Sequence, residues 1–211
     1  VRRFAAEGLA TFALVFLGTG ACVVDAVSGG KLGVVGVGVA FGLAVFGAAT
    51  LFGPHSGAHM NPAVTLALWR GRSFPSRDVA PYLLVQCLGA LAASVCVYLL
   101  AGGRGGDLGA THAVIGVWPT FALEWALTFV LVLVVLRAPS RWGAAAAGLV
   151  VGLEAIVAGH ATGASMNPAR SLAPALVSGH LDGMWVYLLA PVAGALSAAA
   201  ADAACASSGA C

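Results

Sequence analysis

A chain of 211 residues that is 60% hydrophobic and 9% charged, with 10 Lys and Arg against 8 Asp and Glu, cannot clothe a water-facing surface in charge. Its mean hydropathy of +0.97 excludes a soluble globular domain and offers no basic surface for a nucleic acid. In lipid the natural unit is a span of about 20 apolar residues, and no separable soluble domain remains, so residues 1–211 are expected to form a single membrane domain.

Six apolar stretches follow in chain order, at about 4–24, 32–52, 79–101, 118–136, 142–159 and 183–205. The first has the basic start of a secretory signal. Its apolar part is too long and lacks a small-residue cleavage site, so it is expected to be retained. It carries Glu7, and the fourth stretch carries Glu124 at an equivalent place. The 29 glycines suit close helix packing in lipid, with Gly42 and the pair Gly194-Ala195 as packing candidates. If the amino terminus is cytoplasmic, Arg2, Arg3, Arg70, Arg72, Arg77, Arg137 and Arg141 fall inside, and only Lys31 and Arg104 fall outside. Both termini are therefore expected in the cytoplasm. The cysteines, Cys22, Cys87, Cys96, Cys205 and Cys211, lie within spans or at an expected cytoplasmic end and have neither paired nor metal-ligand spacing, which argues against a disulfide framework or a metal site and for most of them being small core residues.

Between the second and third stretches lies Gly57-Ala58-His59-Met60-Asn61-Pro62-Ala63-Val64-Thr65-Leu66-Ala67. It returns between the fifth and sixth as Gly163-Ala164-Ser165-Met166-Asn167-Pro168-Ala169-Arg170-Ser171-Leu172-Ala173, identical at eight of eleven positions. Tyr82-Leu83-Leu84 and Tyr187-Leu188-Leu189 continue the repeat. Halves at about 1–101 and 118–211 each hold three spans, and an odd number forces them into opposite orientations. In each Asn-Pro-Ala, Asn is a preferred N-cap and Pro suits the first helical position. The apolar residues that follow, ending near Arg70 and Val177, are too few to cross. Two half-helices are therefore expected to enter from opposite faces and meet near the midplane.

These two segments resemble the aquaporin, or major intrinsic protein, family over nearly the whole chain. The resemblance implies an all-α membrane fold, an aquaporin-like bundle of six transmembrane helices plus two re-entrant half-helices in an inverted repeat. It also implies a passive pore for water and small neutral solutes that excludes ions and protons, in a homotetramer in the plasma membrane, with no cofactor and no catalysis. Asn61, Pro62, Ala63, Asn167, Pro168 and Ala169 would form its centre, with backbone carbonyls of Gly57, Ala58, His59, Gly163, Ala164 and Ser165 lining it. Phe41, Ala155, Ala164 and Arg170 fall at the positions of the selectivity constriction. Arg170 either faces that pore or pairs with Glu154 or Glu124, and either Glu154 or Ala155 can face the lumen. Glu7 and Glu124 are expected to brace the loops through backbone N–H groups. His59 either lines the pore or anchors the loop. His160 stands where the family often has Pro, implying a less rigid loop, while His55, His112 and His180 are read as surface-loop residues. Ser171, in place of the Asp common in glycerol facilitators, favours a water channel, whereas the small Ala155 favours a wider pore; a glycerol facilitator is the alternative. A secondary transporter would need a coupling-ion cluster, and an intramembrane enzyme a nucleophile paired with a base; neither is visible.

Overall fold

The computed structural model of the protein describes residues 1–103 and 106–208; Arg104 and Cys211 lie outside the described residues. The chain runs through α1 (Arg2–Val27), α2 (Gly33–Ser56), α3 (Pro62–Arg70), α4 (Ser76–Leu100), α5 (Val117–Arg137), a single 3₁₀ turn (Ser140–Trp142), α6 (Gly143–Thr162), α7 (Pro168–Ser178) and α8 (Met184–Ser208). In lipid a helix satisfies its own backbone polar groups, which is why apolar runs of this length settle into nothing else. Among the described residues, six helices are long and apolar enough to cross a membrane. The other two, α3 with 9 residues and α7 with 11, reach only about half of a hydrocarbon core about 30 Å thick. Leu43, Leu51, Leu84, Leu99, Leu149 and Val157 are more than half exposed and face outward, as lipid requires.

The same order of elements, two long helices, one short and one long, occurs twice. Within the halves α1 packs on α4 and α5 on α8; between them α2 crosses α6. Each short helix is gripped by the other half, α3 by α8 and α7 by α4. The halves therefore cannot separate without unseating both half-helices.

Small residues make these crossings possible. A Cβ at Gly42 would stand 2.8 Å from the Gly148 carbonyl oxygen of α6, and one at Gly148 would stand 2.7 Å from the Gly42 carbonyl. Repeat-related glycines serve the other contacts: a Cβ at Gly89 would collide with the backbone of Gly8, and one at Gly194 with that of Trp125. At the end of the bundle that holds the termini, Arg3 pairs with Asp78 at 2.6 Å, and Arg137 with Asp202. At the other end Asp25 accepts the N–H groups of Leu32 and Gly33 at 2.9 and 2.8 Å, starting α2.

Two expectations are corrected. His55 and His160 are not loop residues: α2 continues to Ser56 and α6 to Thr162, because the left-handed glycines that end these helices come only at Gly57 and Gly163. Cys22, Cys87 and Cys96 are free and partly buried, but Cys205, near the end of α8, is disulfide-bonded, so it is not a small unpaired core residue.

The α2–α6 crossing makes a prediction. Gly42→Leu should lower the thermal unfolding midpoint in detergent, since overpacking a tight contact costs about 1–3 kcal/mol or more. Gly47→Leu, on the same helix with nothing within 4 Å of its Cβ position, should leave the midpoint nearly unchanged. Equal midpoints would show that the crossing does not depend on Gly42.

Candidate functional site

The site is made where α2 and α6 stop. Gly57 (φ 85°) and Gly163 (φ 83°) turn left-handed and return their N–H groups to the carbonyls of Gly53 and Gly159 at 2.8 and 2.9 Å. Beyond them Ala58 (φ 46°) and Met60 (φ 54°) match Ala164 (φ 41°) and Met166 (φ 54°). Non-glycine residues rarely take this conformation, and it persists only where surrounding contacts over-determine it.

Those contacts come from carboxylates behind each loop. Glu7 accepts the N–H groups of His59 (3.2 Å) and Met60 (2.5 Å) and the Gln86 amide (2.8 Å). Glu124 accepts those of Ser165 (2.9 Å) and Met166 (2.8 Å) and the Thr162 hydroxyl (2.7 Å). The Ser56 and Thr162 hydroxyls accept the next N–H groups, from Ala58 and Ala164. Tyr82 and Tyr187 donate to the carbonyls of Ser56 and Thr162 at 2.7 and 2.8 Å. Both glutamates are fully buried. With the N–H groups drawn to one side, the carbonyls of residues 57–59 and 163–165 have no hydrogen-bond partner within the described residues.

Each half-helix begins at an extended asparagine whose side-chain oxygen caps it: Asn61 Oδ1 takes the Ala63 N–H at 2.8 Å, and Asn167 Oδ1 takes those of Ala169 (3.0 Å) and Arg170 (3.3 Å). The sequence leaves both amide NH₂ groups free, but the structure uses one N–H of each to tie the loops together. Asn61 Nδ2 donates to the Met166 carbonyl at 2.7 Å, and Asn167 Nδ2 to the Met60 carbonyl at 2.8 Å. One N–H per amide remains.

Both asparagines border a cavity of about 940 Å³ that extends from Phe41 and Arg170 past Met60 and Met166 to Ser73, Arg141 and Trp142 at the end holding the termini. Gly57, Ala58, His59, Ala164 and Ser165 line it with Val45, Leu131 and Val151. Gly163 does not; a Cβ there would press on Thr111. Pro62, Ala63, Pro168 and Ala169 are buried behind the asparagines. Ala155 lines the cavity and Glu154 is not among the lining residues, so the choice between these neighbours falls to Ala155. His59 does both things considered for it. It borders the cavity, while its Nδ1 lies 3.1 Å from the Thr65 hydroxyl and its ring packs against Phe74 and Tyr82.

Arg170 is only 4% exposed. Its Nη1 donates to the Gly109 carbonyl at 2.7 Å, its guanidinium carbon lies 4.8 Å from the Phe41 ring centroid, and its buried Nε has no partner among the described residues. It makes no ion pair with Glu124 or Glu154 among the described residues. Two supports were missed in the sequence. Gly109 lies in a loop without a repeat counterpart, and Gly18 gives no periodic signal, although a Cβ there would overlap the Phe41 ring.

Because the loops hang on carboxylates, Glu124→Ala should leave buried donors unmatched at about 1–3 kcal/mol apiece and sharply reduce the yield and thermal midpoint of folded protein. Glu124→Gln keeps one acceptor oxygen and should fall between. An alanine variant as stable as the parent would show that the loop holds itself.

The family model for major intrinsic protein matches residues 1–201. Among curated proteins, aquaporin NIP1-1 of Oryza sativa subsp. japonica is 39% identical over 94% of this chain and 72% of its own length. Glycerol uptake facilitator protein-like 6 of Lactiplantibacillus plantarum is 40% identical over 94% of this chain and 95% of its own. The X-ray structure of the aquaglyceroporin from Plasmodium falciparum superposes with a TM-score of 0.88 at 28% identity, covering 95% of this chain and 94% of that one. On this evidence the chain is a multi-pass membrane protein that belongs to the major intrinsic protein family.

Proposed function

We propose that this chain is a passive channel for water and small neutral solutes, and that its selectivity is set where Phe41, Ala155, Ala164 and Arg170 meet. The observation that carries this reading is the cavity bordered at mid-depth by two cross-linked asparagines, each with one N–H left to offer. Unpartnered carbonyls of Gly57, Ala58, His59, Ala164 and Ser165, all on the cavity wall, are suited to accept hydrogens from a passing molecule. The N-termini of α3 and α7 add about half an elementary positive charge each at the same depth. A water held there by asparagine donors cannot relay a proton, the barrier understood for aquaporin-type pores. Cations meet the same charge and, at the far end, Arg170. Glu7 and Glu124 brace the loops and stay out of the path.

The glycerol uptake facilitator and aquaglyceroporin among the similar proteins support a pore wider than water alone needs. In this chain the motive is Ala155: a short apolar side chain shares the cavity wall with Phe41 and Arg170 and leaves room for a solute whose hydroxyl or carbonyl Arg170 can orient. The excess of arginine at the end holding the termini supports cytoplasmic termini in a plasma membrane. The family supports a homotetramer with one pore per subunit, the repeats 1–101 and 118–211 forming one channel domain.

Glycerol, urea and ammonia uptake should be measured beside osmotic water flow in proteoliposomes of the parent chain and of Ala155→His. The parent should pass at least one solute, and the histidine should reduce that flux by about tenfold, the scale of discrimination a pocket gains from lost space, while water flow persists. Parent solute fluxes at the empty-vesicle level, with normal water flow, would show a narrow constriction despite its alanines.

A further inference from the structure

The guanidinium of Arg170 takes its position from a turn on a different part of the chain. Asp107, Leu108, Gly109 and Ala110 form a four-residue turn closed by the Ala110 N–H on the Asp107 carbonyl at 3.0 Å, with both central residues left-handed (Leu108 φ 57°, Gly109 φ 69°). A leucine in that conformation is uncommon, and three contacts hold it. The Leu108 side chain is 1% exposed and packs with Val23 and Val97. A Cβ at Gly109 would stand 2.9 Å from Cys22 Cβ, so α1 leaves the turn no room to move inward. Asp107 Oδ1 accepts the Gly109 N–H at 3.0 Å. The carbonyl of that same Gly109 receives Arg170 Nη1.

We infer that Asp107 is a positioning residue for the constriction: by holding the Gly109 peptide it aims the carbonyl that fixes Arg170, and so sets how sharply the pore separates water from larger neutral solutes. This rests on the channel function proposed above. His112 completes the device. Its Nε2 donates to Asp107 Oδ2 at 2.7 Å, which turns Oδ1 toward Gly109. The two carboxylate oxygens thus have separate tasks. The next residue before His112 adds a second tie between the loop and α7, since the Thr111 hydroxyl donates to that of Ser171, beside Arg170, at 2.9 Å. The side chains of Asp107 and His112 are 40% and 42% exposed. Neither belongs to the packed core, so replacing Asp107 tests position rather than folding.

The experiment compares the parent with Asp107→Ala and Asp107→Asn in proteoliposomes, reading glycerol and urea permeability against water permeability in the same vesicles. The ratio is independent of how much protein inserts. Asp107→Ala frees the Gly109 peptide and should raise the solute-to-water ratio by about fivefold, the factor one ordinary hydrogen bond is worth, while Asp107→Asn, which keeps Oδ1 as an acceptor, should stay within about twofold of the parent. A ratio unchanged in Asp107→Ala while the parent conducts water would overturn the inference. So would an asparagine variant as leaky as the alanine one. A parent that moves no water would overturn the channel reading itself, and this inference with it.

Discussion

Backbone polar groups that leave a helix inside a membrane must find partners there, because hydrocarbon offers none. Two buried carboxylates meet this need, Glu7 for His59 and Met60, and Glu124 for Ser165 and Met166. Much else about the site follows from that arrangement. With their N–H groups satisfied from behind, the loops can keep left-handed alanines and methionines that would otherwise relax. Their carbonyls are then left over, and in lipid a left-over carbonyl is tolerated only where it lines a cavity. The asparagines can begin half-helices that point at one another, since the loop segments leading into them are already held, and each spends one N–H on the opposite loop.

The repeat makes a symmetric frame, and its departures make the two ends of the path differ. Val64 in the first half corresponds to Arg170 in the second, so a guanidinium stands at one end only. His59 corresponds to Ser165, giving the end that holds the termini an imidazole packed between Phe74 and Tyr82. Support for the carboxylates differs as well. Gln86 donates to Glu7, but its counterpart is Pro191, which has no side-chain donor, so Glu124 has the hydroxyl of Thr162, the counterpart of Ser56 beside Glu7, without an added amide. The loop carrying Gly109 belongs to neither repeat, and it is this unrepeated piece that holds the unrepeated arginine.

The fold was legible because its determinants are local or periodic. Span length follows from apolar runs, helix starts from Asn-Pro-Ala, and inversion from an odd number of spans per half. The bracing positions of Glu7 and Glu124 were legible too, since a carboxyl inside an apolar span needs donors and exposed loop N–H groups are the nearby supply. What stayed hidden depends on how elements are rotated and where unpatterned loops run. Glu154 and Ala155 lie about 100° apart on one helix, and packing between α2 and α6 decides which of them reaches the lumen. Gly109 could not be singled out because its contribution is a carbonyl, which every residue has. The crossing of Asn61 and Asn167 onto Met166 and Met60 was equally hidden, a distance of more than 100 residues separating each pair.

The central claim is that opposed half-helix N-termini and Arg170 let neutral molecules through while stopping charge. Proteoliposomes loaded with a pH-sensitive dye can report both in one preparation, with osmotic water flow read by light scattering and proton flux read under an imposed pH gradient and membrane potential. The account predicts water flow well above that of empty vesicles, with proton flux no different from theirs. Proton flux that rises with the amount of reconstituted protein, or water flow that does not, would contradict it.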